Sequence, residues 1–170
     1  MTLVDYQTLF SIFQSLVTTI SIIIAGLWAY NRFIIQQERY PNLIFTADIS
    51  IIGQHKGETL VEIISFIENK GKTQHKMDNF NFDISAIYRN EELVPSPKWG
   101  NQIDFYHTIA NGSFLPLQMS FFFVDPGTTA KYSYITKLPS ETAFAILHCT
   151  FNYADKRNYL HTAEKIIKIN

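Results

Sequence analysis

The order of hydrophobic and polar positions divides this chain at Pro41. Before it, Leu9 to Tyr30 run for 22 positions without a charge, and Arg32 and Arg39 follow. A run of this length can cross a bilayer as a helix, which takes about 20 residues. Its 11 Leu, Ile, Phe and Val residues each favour insertion by about 0.3 to 0.6 kcal/mol, partly offset by Gln14 and the hydroxyl residues. A cleaved signal peptide would carry a basic N-terminal region, a shorter apolar core and small residues at the cut. Here Asp5 is the only charge among the first eight residues, and Trp28, Tyr30 and Phe33 stand where the cut would fall. Nothing between Asn31 and Tyr40 breaks a helix, so it is predicted to continue to Pro41.

After Pro41 the period changes from helical to alternating, the signature of strands. Leu43, Phe45, Ala47, Ile49 and Ile51 mark a first strand, and Gly53 to Gly57 a turn. Leu60 to Ile67 form a second strand, ended by Asn69, Lys70 and Gly71. Phe80 to Tyr88 alternate in a third, with Asn79, Asn81, Asp83 and Ser85 on the opposite face. Asn90 to Asn111 read as a long irregular connection holding a short strand near Ile103 to His107. Leu115 to Phe123 give a fourth main strand, Ala130 to Tyr134 a fifth, Ala143 to Tyr153 a sixth, and a last one ends at Ile169. About seven strands with turn signals between them predict an antiparallel β-sandwich, with a closed barrel as the alternative. The expected organisation is a tail at 1–7, a transmembrane helix with a juxtamembrane extension at 8–40, and a β domain at 41–170.

Composition narrows the function classes. The net charge is -1, and beyond Pro41 there are 12 basic against 13 acidic residues once Arg32, Arg39, Asp5 and Glu38 are set aside from totals of 14 and 15. Nothing in that balance argues for nucleic acid. The one cysteine, Cys149, excludes an intramolecular disulfide. It falls in an apolar row, as a small buried hydrophobe does. The histidines at 55, 75, 107, 148 and 161 show no metal-ligand spacing, and no phosphate loop or nucleophile elbow occurs. Glu91 and Glu92 read as a solvated pair in a loop. No enzyme, metal or cofactor is expected.

Three sets of residues are candidates for contact. Gln14, Thr18, Ser21, Ala25 and Ala29 fall on one side of the helix, and the last three form a small-residue ladder that lets helix backbones approach. Oligomerisation through this side is an expectation. An up-and-down strand count puts Lys70, Lys72, Lys76, Lys156 and Arg157 in loops at the end nearest the helix, where with Arg32 and Arg39 they would meet anionic lipid. Trp99, Phe105, Tyr106 and Phe114 cluster around the long connection, either as a partner surface or as a cap on the open end of the sandwich.

Some short motifs carry a resemblance. The second and third strands, with Glu68, Asn69, Lys70 and Gly71 between them, resemble the B–C region of immunoglobulin-like and fibronectin-type bacterial sandwiches. Val124, Asp125, Pro126 and Gly127 resemble the turn before a late strand of such domains. With the Arg39-Tyr40-Pro41 junction, the chain resembles uncharacterised bacterial single-pass membrane proteins carrying an Ig-like domain. The resemblance implies a fold and a bacterial setting and no activity, since sandwiches host many functions. The Cys and Trp pair of antibody domains is absent.

The expected protein is therefore mainly β, with an N-terminal transmembrane α-helix and an antiparallel Ig-like sandwich. Basic residues after the helix and none before it predict an inner-membrane protein with its N-terminus outside and its C-terminal domain in the cytoplasm. The expected role is a binding or accessory module of a membrane-associated complex, touching lipid and either a protein partner or further copies of itself. Two alternatives stand beside it: a ligand-triggered effector that perturbs the membrane in bacterial stress or phage defence, and an adhesion or carbohydrate-binding domain of reversed topology.

Overall fold

Alternation after Pro41 becomes strand because β-branched and aromatic residues pack well on a pleated surface that is buried on one side. The computed structural model describes residues 3–35, 41–97, 100–154 and 159–169. The chain divides into two units, Met1–Pro41 and Asn42–Asn170. In the first, helix α1 spans Leu3–Tyr30, and a π-helical turn follows over Asn31–Ile35. The stretch Tyr6–Phe33 has a mean hydropathy of 1.9, and none of its described side chains is buried. Its length and composition are those of a membrane-crossing helix, and a signal sequence near an N-terminus shares both. Trp28 packs edge-on against Phe33, and the Arg32 guanidinium lies 5.5 Å from the Trp28 ring centre. The predicted helical extension from 36 to 40 lies outside the described residues.

The second unit is antiparallel throughout its described residues. Its strands are β1 (Leu43–His55), β2 (Glu58–Asn69), β3 (His75–Tyr88), β4 (Pro95–Ser96), β5 (Gln102–Ile103), β6 (His107–Ser113), β7 (Phe121–Val124), β8 (Thr129–Leu138), β9 (Thr142–Tyr153) and β10 (Leu160–Lys168). One sheet has the order β1-β2-β8, and a larger one has the order β10-β9-β3-β6, with β7 also on β3. Strands β4 and β5 form a small ribbon apart from both.

Inner faces of the two sheets meet in a shared core. At one end Ile49, Val61 and Ile63 meet Phe82, Ile84, Leu147 and Cys149. At the end where Asn42 enters, Ile67 joins Met77, Phe80, Phe122 and Phe151. Phe80 is fully buried, with Phe122 stacked at 5.1 Å and Tyr132 edge-on at 5.0 Å. Where β1 lies beside β10, Asp48 and Lys165 pair at 3.6 Å, but no backbone ladder joins the two strands. The closed-barrel alternative therefore fails among the described residues.

The structure corrects the expected strand list in three places. Among the described residues ten strands replace about seven, because the connection after Tyr88 holds the β4–β5 ribbon and β6. The predicted fourth strand over Leu115 to Phe123 shrinks to β7: Leu115 turns inward to the core, and Met119 N–H closes a turn on the Pro116 carbonyl at 2.8 Å. Strand β3 begins five residues earlier than predicted, at His75, with a register shift between Asp78 and Asn81 where Asn79 adopts φ 51°. Asn tolerates this left-handed conformation better than most residues.

Asn69 is fully buried at the end of β2 and ties the turns at this end together. Its side-chain amide donates to the carbonyls of Thr73 and Val124, and its side-chain oxygen accepts the Gly71 N–H.

Gly112 on β6 faces the Phe82 ring so closely that an added Cβ would lie 2.8 Å from Cζ. Gly112→Ala is expected to destabilise the domain by about 1–3 kcal/mol through overpacking. Chemical denaturation checks this, and an unchanged midpoint would show that Phe82 moves freely.

Candidate functional site

The outer face of the larger sheet carries a groove of about 380 Å³. Strand alternation builds its floor, since residues that are not in the core must point outward. Ser85 of β3 stands opposite Ile146 of β9, and Ile146 stands opposite Ile166 of β10. Ser85, Ile146 and Glu164 line the floor, while Ser96, Gln102, Ile103, Asp104 and Phe105 line the wall formed by the β4–β5 ribbon and the residues after it. One row further along, His148 lies between Asp83 and Glu164, with Nε2 3.8 Å from the Glu164 carboxylate. Among the described residues the groove thus offers three apolar side chains and two carboxylates, Asp104 and Glu164, with no Lys or Arg in its lining.

A clasp beside the groove secures the ribbon's connection. Glu91 accepts the Tyr88 N–H at 3.0 Å through Oε2 and meets His107 Nε2 at 2.6 Å through Oε1. The His107 ring stacks on Tyr88 with centres 4.4 Å apart. The Tyr88 N–H holds the Glu91 carboxyl below the usual carboxylate range, opposed by desolvation and assisted by His107. Desolvation, with the Glu91 charge behind it, pushes the Tyr106 phenol up. Glu91 therefore anchors the connection's backbone rather than standing free in a solvated pair.

Other titratable groups offer little chemistry. Burial, helped by the Asp83 charge, pushes the Cys149 thiol up to about 12. A thiol so held is not the reactive thiolate. Burial among Phe45, Phe151 and Tyr153 pushes His161 below its ordinary value. Among the described residues no group of three His, Cys, Asp or Glu could hold a metal ion.

The expected contact residues fall in different places. On α1, Thr18 donates to the Gln14 carbonyl and Ser21 to that of Val17, so these hydroxyls are satisfied within the helix. Ser11, Ser15 and Thr19, absent from the expected set, line a shallow surface groove with Gln14 and Thr18. Ala25 and Ala29 lie further along the same helix. Lys70 and Lys72 occupy the turn after β2, where the Lys70 N–H bonds to the Asn42 carbonyl and Lys70 Nζ pairs with Glu68 at 3.7 Å. Lys76 is not in that turn but on β3, its ammonium 3.9 Å from the Phe121 ring centre. Phe114 packs on Phe80 and Phe82 in the core, whereas Phe105 lines the groove and Tyr106 is exposed. Trp99, Arg39, Lys156 and Arg157 lie outside the described residues.

The groove's other residues were missed. Ser85 was visible as an outward position on its strand, but its meeting with Ile146 and Glu164 depends on cross-strand register, for which the sequence carries no local signal.

A carboxyl whose folded pKa is depressed adds stability above its unfolded pKa, and that stability is lost as pH falls through the folded value. For Glu91 the window lies below about pH 4.3, the ordinary glutamate value. The Tyr88 amide resonance is expected to titrate there in wild type and to stay flat in Glu91→Gln. A Tyr88 shift that titrates identically in both would contradict the clasp.

No protein-family model matches the chain, and no curated protein does. Solved structures give distant likenesses. The structural-genomics target SoR45 aligns at TM-score 0.48 and 14% identity, covering 75% of this chain and 86% of that one. A Bordetella pertussis protein given the name ApaA aligns at TM-score 0.49 and 12% identity, over 76% and 94% of the two chains. A β-glucuronidase of Bacteroides uniformis aligns at TM-score 0.45 and 12% identity, over 71% of this chain but 12% of its own.

Proposed function

We propose that this chain is a membrane-anchored binding module whose β domain recognises a protein partner in the groove on its larger sheet. In this reading α1 crosses the bilayer once. Arg32 and Arg39 follow the apolar run, while residues 1–8 hold no Lys or Arg, which favours a cytoplasmic C-terminal domain. The domain is read as an Ig-like sandwich of the fibronectin type. What supports that is the strand order: β1, β2 and β8 stand where A, B and E pair, and β3, β9 and β10 where C, F and G pair. The interrupted edge formed by β6 and β7 then takes the place of an added strand beside C.

The observation that carries the reading is the groove itself. Concave sites with an apolar lining and a few polar groups are where ligands bind by default. Asp104 and Glu164, with no Lys or Arg beside them among the described lining residues, suit a partner that presents a basic side chain beside an apolar one. Long loops set on a rigid sheet are frequent carriers of recognition, and the Glu91 clasp fixes this one.

A photo-crosslinking residue at Gln102 of the full chain in native membranes is expected to give a discrete product that Glu164→Lys abolishes. The same residue at Ser133, on the outer face of the smaller sheet, is expected to give none. Equal products at both positions, or none at 102, would reject the groove. Orientation is read separately: a C-terminal fluorescent-protein fusion should glow and a phosphatase fusion stay silent, and the opposite pair of results would reverse the topology.

A further inference from the structure

The outer edge of the larger sheet is broken. Strands β6 and β7 both pair with β3 in the same antiparallel sense, β6 along Asn81 to Ala86 and β7 along His75 to Asp78. Phe114 N–H still bonds to the Phe80 carbonyl of β3 at 3.0 Å, and residues 115 to 120 leave this line. Phe114 and Leu115 turn inward onto Phe80 and the core around it. Pro116 has no N–H to keep a ladder going, and the chain then turns outward. Leu117 is 106% exposed and Met119 51% exposed. On β7 the alternation continues, with Phe122 and Val124 in the core and Phe121 and Phe123 outside at 39% and 47% exposure. Single exposed apolar residues are ordinary. Leu117 and Met119 stand with Gln118 and Ser120 in the exposed turn that leads into β7, where Phe121 and Phe123 pack edge-on at 5.4 Å. Four such apolar residues within seven positions make an apolar prominence of the sort that marks an interaction site.

We propose that this prominence, Leu117, Met119, Phe121 and Phe123, is a bilayer-interface anchor that enters the headgroup and upper acyl region. The proposal rests on the membrane-anchored reading of α1. Two observations favour lipid over another occupant. With α1 in a bilayer, the chain from Phe33 to Leu43 can reach at most about 35 Å, so the domain is tethered within reach of the membrane surface. The Lys76 ammonium over the Phe121 ring pairs a long aliphatic stem with an aromatic face, which suits the boundary between headgroups and chains. Lys70 and Lys72 lie in the turn before β3, which leads directly to Lys76. Glu68 pairs with Lys70, Gln74 holds Asp125, and Asp78 stands opposite Phe121. Charge on the described residues is thus nearly balanced, and apolar insertion rather than attraction to anionic lipid carries the contact. The expected basic docking end is accordingly revised: Lys76 serves the prominence, and Lys70 is partly neutralised.

The test uses the full chain in liposomes, with a polarity-sensitive fluorophore on Leu117→Cys or, as control, on Ser140→Cys at the opposite end of the domain. Cys149 is buried, and unsubstituted protein gives the labelling background. The probe at 117 is expected to shift to the blue and lose intensity with brominated acyl chains, in zwitterionic as well as anionic vesicles. Met119→Asp should reduce both effects, and the probe at 140 should show neither. A probe at 117 that behaves like the one at 140 would overturn the proposal. So would a blue shift without bromolipid quenching: if it fades on dilution of protein in lipid it assigns the surface to a second copy, and if it needs added membrane extract it assigns it to a protein partner. Alkaline extraction of the same vesicles reads α1 independently. A chain that is extracted yet quenched at 117 keeps the anchor and overturns the span, and one that resists extraction with 117 unquenched does the reverse.

Discussion

Everything at one end of the β domain depends on how the Asn69 side chain is satisfied. Its amide closes the turn that follows β2 through the Thr73 carbonyl and reaches across 55 residues to the Val124 carbonyl at the end of β7. Its own backbone accepts the Gly127 N–H and donates to the Thr128 carbonyl, which fixes the turn into β8. An amide with one acceptor and two donors fits such a place, and a carboxylate does not. A buried polar group left without its partner costs about 1–3 kcal/mol. Several would be orphaned together if this side chain were lost, so one residue holds both sheets to a common end.

From that constraint follow the faces on which function is proposed. With β2, β3, β7 and β8 held together, alternation, interrupted on β3 by the register shift at Asn79, places Ile67, Met77, Phe80, Phe122 and Val124 inward. The same alternation obliges Lys76, Phe121 and Phe123 to face outward, which is where the apolar prominence comes from. The groove lies towards the other half of the sheet, where β3 pairs with β6 rather than β7. There the floor is set by register, and the wall by the clasp among Tyr88, Glu91 and His107. Recognition in the groove and insertion of the prominence would use one rigid sheet at two separate places.

Much of the architecture was legible in the sequence because it rests on local periodicity. The uncharged run became α1, and the alternating stretches became β1, β2, β3, β8, β9 and β10. The turn at Asn69 to Gly71 was visible as turn chemistry, yet Asn69 as a buried organiser was not, since its partners at Val124 and Gly127 are distant in the chain. Leu115 to Phe123 misled for a physical reason: alternation reports which side chains face in or out and says nothing about whether the backbone keeps its ladder across Pro116. Phe114, Phe105 and Tyr106 looked alike as aromatics near one connection and came apart as core, groove wall and exposed surface. Side-chain type alone does not carry that distinction; packing against Phe80 and Phe82 does.

Amide hydrogen exchange on the full chain, comparing wild type with Asn69→Ser, tests most directly whether one buried amide organises this end of the domain. The account predicts that protection falls at Gly71, Gly127 and Thr128 and along β7, and stays near wild type in the β1–β2 hairpin around Gly53 and Leu60. Uniform loss of protection across both ends, or none at β7, would contradict it.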